Sequence, residues 1–157
     1  SFRRGKTFDE VAAGYRIPRE AVVEGLYLGA EALLEKYRVP YPEPLPMEEL
    51  LKLPPGYRDE RYPRVEIGKY LVADPYICHG QPTVRGTRVM VHLVLRNFRR
   101  GETIDQLALD YQIPPEAVVE GLRLAGEALL EKYAVSYPEP LSTDELLKMD
   151  SAHQRVS

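Results

Sequence analysis

The sequence has one cysteine, no tryptophan and no long apolar run among its 157 residues. A single thiol, Cys78, excludes an internal disulfide framework and is typical of a reducing cytoplasm. No apolar stretch approaches the ~20 residues that a helix needs to span a bilayer. We therefore expect a cytoplasmic protein that has neither a membrane span nor a disulfide scaffold.

Patterns typical of catalysis and metal binding are also missing. Cys78 and His79 are adjacent, which is a poor spacing for two ligands of one tetrahedral metal site, and His92 and His153 lie in unrelated contexts. The sequence contains neither a Walker-type phosphate loop nor a dinucleotide-binding glycine pattern. The residues leave a catalytic Cys–His pair as an alternative. We expect a non-enzymatic protein that uses no metal ion and no cofactor.

The most informative feature present is an internal repeat. Residues 1–53 recur without a gap as residues 97–149, and about two-thirds of the aligned positions are identical. One chain thus carries two equivalent surfaces, as a symmetric dimer does, and we also expect a homo-oligomer. We predict two units, residues 1–57 and residues 58–157.

The two copies differ in the sequence that precedes them. The segment 62–96 precedes the second copy and has no counterpart before Ser1, so the first unit begins in its middle. We expect a longer parent chain that supplies this part, and a genuinely truncated first unit is the alternative.

The net charge of −3 hides an uneven distribution. Residues 75–101 contain arginines and no acid, whereas residues 102–157 contain 11 acidic and 4 basic residues. A basic cluster of this kind is typical of a phosphate-binding surface. The alternative is that these arginines pair with the protein's own carboxylates.

Apolar residues recur at helical spacing after each Phe-Arg-Arg-Gly segment. Thr103 and Gln106 form a capping-box pattern, and Thr7 and Glu10 repeat it in the first copy. Pro115 suits the first turn of the next helix, where its missing N–H costs nothing. The predicted helices span 90–99, 103–110, 115–132 and 143–149 in and before the second copy, and 19–36 and 47–53 in the first.

The segment between the copies has a different pattern. Val65, Ile67 and residues 70–72 flank Gly68-Lys69, which predicts two short strands joined by a tight turn. Residues 83–89 predict a short strand or an extended arm. The expected fold class is therefore mainly α, with a small β-hairpin or arm before the second unit.

Each copy ends with a proline-rich segment and a short amphipathic helix. Alternating prolines in residues 37–46 and 133–142 favour a stiff, polyproline-like strap. The leucines that the short helices must bury are Leu50 and Leu51, and Leu146 and Leu147. They pack either against their own unit or against a partner protein.

Part of the chain resembles the bacterial and archaeal family catalogued as domain of unknown function 433. The residues that carry the resemblance are Asp74-Pro75, Gly80-Gln81-Pro82-Thr83-Val84-Arg85-Gly86-Thr87-Arg88 and Gly101-Glu102-Thr103, followed by a helix-turn-helix pattern. It covers about residues 64–128, and in the first copy only residues 1–32. The resemblance implies homeodomain-like helix-turn-helix units in tandem. It also implies a role like that of VapB-type antitoxins, which bind operator DNA and neutralise a ribonuclease toxin.

The residues support DNA binding only in part. Carboxylates crowd the predicted helix 115–132, and they oppose binding to phosphates because DNA affinity depends largely on cations. Arginines in an arm would instead suit the minor groove. The DNA-binding candidates are Arg85, Arg88, Arg96, Arg99 and Arg100, with Arg3, Arg4 and Arg123. Alternatively, Arg85 and Arg88 tie the Gly-Thr turn to a carboxylate such as Asp74.

Two functions follow as expectations. The first is an antitoxin-like, DNA-binding transcriptional regulator that also binds a toxin protein. The alternative is a protein-interaction module that neutralises a toxin, or acts as an adaptor, without binding DNA. Ribonuclease toxins are often basic, so an acidic surface would complement one. The partner-binding candidates are Glu116, Glu120, Leu50, Leu51, Leu146 and Leu147.

Overall fold

A computed structural model describes residues 5–98, 102–134, 142–144 and 147–148, except the side chain of Phe8. In these parts of the chain the helices are α1 (Phe8–Tyr15), α2 (Arg19–Tyr37), α3 (Met47–Leu50), α4 (Val91–Arg96), α5 (Ile104–Tyr111) and α6 (Pro115–Tyr133). The strands are β1 (Val65–Glu66), β2 (Leu71–Ala73) and β3 (Pro82–Val84). The predicted mainly α class is confirmed. No helix formed by the described residues has the length and apolar character needed to cross a membrane.

Side-chain caps set the starts of α1 and α5, as predicted. The Thr103 N–H donates to Gln106 Oε1 at 2.7 Å, and the Gln106 N–H donates back to Thr103 Oγ1 at 3.2 Å. In α1, Thr7 Oγ1 accepts from the Glu10 N–H at 3.3 Å. These bonds satisfy N–H groups that have no partner inside the helix. The capping box at Thr103 is thereby confirmed.

The strands form one antiparallel sheet in the order β1-β2-β3. Glu66 pairs with Val72, so the predicted turn at Gly68-Lys69 is confirmed. The predicted arm begins as β3, where Thr83 pairs with Val72. The chain then turns tightly into α4, because the Val84 N–H donates to the Val89 carbonyl at 3.0 Å.

Two predicted helices are shorter than expected. Helix α4 ends at Arg96, not at residue 99, and Asn97 after it donates from Nδ2 to the hydroxyl of Tyr111 at 2.6 Å. Helix α3 ends at Leu50, not at residue 53, in a segment that soon reaches Pro54-Pro55. Of the predicted helix 143–149, the described positions 143–144 and 147–148 are helical.

The core lies mainly under α4, α5 and α6. Its fully buried side chains include Leu71, Leu95, Ile104, Leu107 and Val118. Ala30 and Leu33 of α2 belong to the same buried cluster, so residues of both predicted units contribute to one core. The boundary between residues 57 and 58 stays a prediction.

Helix α2 packs along α6 in the same direction. Ala125 is the close neighbour of Gly29, since a Cβ built on that glycine would lie 3.5 Å from the Ala125 Cβ. Further along both helices, Lys36 Nζ lies 2.8 Å from Glu131 Oε1. A helix rises about 1.5 Å per residue, so an antiparallel arrangement would hold these two charges far apart.

The same contact occurs a second time with the two copies exchanged. Lys132 Nζ lies 2.6 Å from Glu35 Oε2. In the aligned copies, Lys132 corresponds to Lys36 and Glu35 corresponds to Glu131. The α2–α6 pair therefore has a local two-fold relation at its C-terminal end.

Candidate interaction surfaces

Arg85 braces the β-hairpin from the turn that follows β3. Its Nε donates to the Lys69 carbonyl and its Nη2 to the Gly68 carbonyl, each at 3.1 Å. The same Nη2 lies 2.5 Å from Glu66 Oε2. The structural alternative given for Arg85 thus describes its position, but the carboxylate is Glu66 and not Asp74.

Arg96 connects α4 to α2. Its Nη1 lies 3.2 Å from Glu31 Oε1, and its guanidinium lies 4.5 Å from the centre of the Tyr27 ring. Such stacking over an aromatic face adds to the attraction of the ion pair. Arg123 likewise pairs within its own helix, at 3.1 Å from Glu127.

Arg88 is the one remaining arginine candidate among the described residues. Arg88 is exposed, and its guanidinium makes no ion pair or hydrogen bond with any residue in the described part of the chain. Arg99, Arg100, Arg3 and Arg4 lie outside the described residues.

Asp74 is completely buried where β2 ends. Its Oδ1 accepts from Arg58 Nη1 at 2.8 Å and from the Tyr76 N–H at 2.9 Å. The hydrogen bond from Arg58 is the main reason that the pKa of Asp74 lies below its ordinary value, although burial opposes it. Arg58 also lies 5.1 Å from the Tyr76 ring. Sequence reasoning missed Arg58, which lies outside the motif that contains Asp74.

Gly80 joins the proline strap of the first copy to the loop before β3. The Val39 N–H donates to the Gly80 carbonyl at 2.9 Å. The φ of Gly80 is +74°, and a Cβ there would collide with the Val39 carbonyl. Only glycine combines this conformation with so close an approach. Beside this contact, the rings of Tyr41 and His79 lie 4.9 Å apart.

Glu120 on α6 holds the hairpin turn. Its carboxylate accepts from the backbone N–H groups of Lys69 at 3.1 Å, Tyr70 at 3.0 Å and Leu71 at 3.2 Å. The sequence suggested this residue as a partner-binding candidate. Within the chain its carboxylate fixes the sheet to α6. Glu116, one turn earlier, is exposed.

Residues 71–134 match the model of a family described as Protein of unknown function (DUF433). These residues, from β2 to the end of α6, are similar to that family and are called the DUF433 segment below. No curated protein and no solved structure matches the chain. Asp74, Gly80, Arg85 and Glu120 all lie in the DUF433 segment, where each fixes one part of the fold.

A large groove lies mostly outside the DUF433 segment, between the first proline strap and the loop before β3. This strap groove has a volume of about 700 Å³. Its aromatic and apolar lining includes Tyr41, Leu45, Leu50, Tyr57, Tyr76 and His79. The groove therefore combines tyrosine rings with exposed aliphatic side chains.

Helix α3 buries none of its residues. Leu50 is 47% exposed and lines the strap groove, and Leu51, the next residue, is 79% exposed. In the second copy Leu147 is 59% exposed, and Leu146 lies outside the described residues. Of the two expectations for the leucines of α3, burial against their own unit is wrong.

The described residues hold no group of three or more His, Cys, Asp or Glu side chains that could bind a metal ion.

His92 on α4 is buried, and its Nδ1 has no hydrogen-bond partner among the described residues. Burial lowers the pKa of His92, the nearby Glu31 partly offsets this effect, and Arg96 reinforces it. Burial of this side chain therefore favours the uncharged imidazole.

Proposed function

We propose that this protein is a non-enzymatic protein-interaction module that binds a partner through the strap groove and α3. One observation carries the proposal: Leu50 and Leu51 remain exposed beside a groove lined with tyrosines. Exposed apolar patches with a polar rim are typical of protein-binding sites, and tyrosine is enriched in them. The strap is held in place by its bond to Gly80, so little order has to be gained on binding.

The expected partner is a basic protein. Glu48 and Glu49 on α3 and Glu43 in the strap before it are exposed, and they pair with no cation among the described residues. A basic partner would find complementary charge there, which accelerates association and excludes acidic competitors. A ribonuclease toxin, the partner that the family resemblance implies, is the first one to test, with neutralisation of the toxin as the function.

A DNA-binding regulator is the second candidate, and the unpaired Arg88 favours it. In that case α5 and α6 would act as a homeodomain-like helix-turn-helix unit and α1 and α2 as its tandem copy. Three other candidates, Arg85, Arg96 and Arg123, already pair with carboxylates, so phosphate contacts would compete with these bonds. For this reason protein binding is the first proposal.

The test is to compare the natural chain with the double variant Leu50→Asp and Leu51→Asp. Leu109→Asp is the matched control, because Leu109 on α5 is 77% exposed, as Leu51 is 79% exposed. Binding is measured with the purified partner, first recovered from the native host and then produced separately. We expect the double variant to lose binding at least tenfold and the control to keep it.

Equal binding by the double variant would refute the proposed surface. The DNA candidate has its own experiment, in which affinity for host DNA is measured at several salt concentrations. A steep loss of affinity with salt, together with loss of binding in Arg88→Glu, would favour the regulator instead.

A further inference from the structure

Helix α4 occupies one side of the α2–α6 pair and fits closely against both helices. It approaches α6 at Gly121, where a Cβ would lie 2.8 Å from Val91 Cγ1. It reaches α2 through Arg96, which meets Glu31 and Tyr27. A glycine on α6 and an aromatic–acidic pair on α2 are thus among the contacts that hold this helix.

The other side of the same pair is open. Gly25 of α2 aligns with Gly121, and a Cβ built there would meet nothing within 4 Å. A groove of about 200 Å³ runs between the helices on this side. Its lining includes Val22, Gly25 and Leu26 of α2, and Leu122, Gly126 and Leu129 of α6. We call it the α2–α6 groove.

The local two-fold relation of α2 and α6 places the surface that α4 packs against onto this groove. Exchanging the aligned copies moves Gly121 to Gly25. It also moves Tyr27 and Glu31 to Arg123 and Glu127. The groove therefore presents the aligned counterparts of the residues that hold α4, but with an arginine where the occupied side has a tyrosine.

The carboxylate that holds the β-hairpin also has a counterpart on α2. Glu120 binds three backbone N–H groups of the hairpin turn, and Glu24 is its aligned residue. Glu24 is exposed and makes no hydrogen bond or ion pair with any described residue. With Val23, Tyr27 and Leu28 it lines a second, shallow groove on α2. Both contacts that hold residues 65–96 on α6 thus have a counterpart around α2.

We propose that the α2–α6 groove and Glu24 together form a docking site for a β-hairpin followed by a short apolar helix, presented by another polypeptide. Its hairpin turn offers backbone N–H groups to Glu24, and a valine or leucine of its helix packs over Gly25. At the position that Arg96 holds on the occupied side, the partner carries an acidic residue. It competes with Glu127 for Arg123, whereas an arginine at this position would be repelled by Arg123. This site is separate from the strap groove and does not depend on the function proposed for it.

The probe is a synthetic peptide of residues 62–98, used with the full chain. We expect it to shift the backbone NMR signals of Gly25 and Glu24, and a peptide carrying Arg96→Glu to bind several-fold more tightly. Gly25→Leu fills the groove and Glu24→Gln removes the charge, so each weakens binding about tenfold. Gly14→Leu and Glu10→Gln on α1 are the controls, and we expect both to retain peptide binding. Gly14, like Gly25, has open space where a Cβ would lie.

A free peptide loses conformational and translational entropy when it binds, which weakens its affinity. A second experiment therefore tethers the segment to the chain, which raises its effective concentration at the groove. Residues 62–96 are fused before Ser1, which places Ser1 at the position that its aligned residue Asn97 holds after Arg96. We expect a higher Tm than that of the natural chain, and loss of this gain with Gly25→Leu.

Three results would overturn the proposal. The first is that neither the free nor the tethered segment perturbs Gly25 and Glu24. The second is binding that Gly25→Leu leaves unchanged, or that shifts Gly121 instead. The third is a concentration-dependent dimer in sedimentation that Gly25→Leu abolishes, because the groove would then pair with the α2–α6 groove of a second copy and not with a hairpin and helix.

Discussion

Lys36 at the end of α2 donates to the carboxylate of Glu131 at the end of α6, over 2.8 Å. Lys132 and Glu35 repeat the bond in the opposite sense at 2.6 Å. The bond to Glu131 raises the pKa of Lys36, and the bond from Lys132 lowers the pKa of Glu35. These pairs are exposed and weak, so their main effect is to fix the register of the two helices.

Reversing one of these charges should destabilise the helix pair, and reversing both partners should restore it. Lys36→Glu places three carboxylates together, so we expect a lower Tm at low salt. Lys36→Glu with Glu131→Lys recovers most of the loss. Added salt should shrink both differences, since exposed charges are screened. Identical melting of all three proteins at low salt would contradict the assigned contact.

Adding one methyl group should have opposite effects at two aligned glycines. At Gly121 the new Cβ meets Val91 at 2.8 Å, whereas at Gly25 it meets nothing within 4 Å. Overpacking costs about 1–3 kcal/mol. Alanine gains roughly 1 kcal/mol over glycine in a helix. Gly121→Ala should therefore lower the free energy of unfolding, and Gly25→Ala should raise it by up to about 1 kcal/mol. Urea denaturation of both variants measures these changes. Changes of the same sign in the free energy of unfolding would refute this packing.

Removing the cation that faces Asp74 should destabilise the protein and shift its acid unfolding. Arg58→Met leaves a fully buried carboxylate with one hydrogen bond to Tyr76, which we expect to cost about 1–3 kcal/mol at pH 7.

The pH dependence of this variant follows from the direction of the pKa shift. A lowered pKa means that Asp74 stabilises the fold above its unfolded pKa of about 3.9, and that this contribution disappears as the pH falls through the folded pKa. The acid limb of Arg58→Met should therefore move to higher pH. Arg58→Lys retains a cation and should show a smaller shift, and an unchanged limb in Arg58→Met would contradict the pairing.

His92 should make the fold less stable in mild acid. Its pKa in the fold lies below its ordinary value of about 6.5, so the unfolded chain binds the proton first as the pH falls. Stability is then complete at pH 7 and decreases between about pH 6.5 and the folded pKa. We expect His92→Gln to remove this part of the slope, measured as unfolding free energy at pH 7 and about pH 5.5. His79→Gln, an exposed histidine, is the control, and an equal slope in both variants would exclude His92 as the cause.

Local signals in the sequence were sufficient for much of the fold. The caps at Thr7 and Thr103, the turn at Gly68-Lys69 and Pro115 in the first turn of α6 depend only on neighbouring residues, and each element begins where they indicate. The strap was recognised by its prolines in the same way.

The site residues were harder to predict, because their partners are distant in the sequence. Glu24 and Glu120 sit in the same local sequence, Val-Val-Glu-Gly-Leu, yet one is exposed and the other holds a hairpin. Nothing within either pentapeptide distinguishes them. Similarly, a basic cluster does not show which arginine meets a carboxylate, so the pairing of Arg96 with Glu31 appears only in the folded chain.

The direction of α2 along α6 has a consequence for how the protein responds to dilution. In a dimer of separate chains such a helix pair dissociates at low concentration, whereas here one covalent chain keeps the local concentration of each helix for the other constant. Because the two helices are encoded separately, a substitution in one does not occur in the other. Tyr27 and Arg123 occupy aligned positions and already differ. The linkage thus permits two non-identical faces, which a symmetric dimer of identical chains cannot offer.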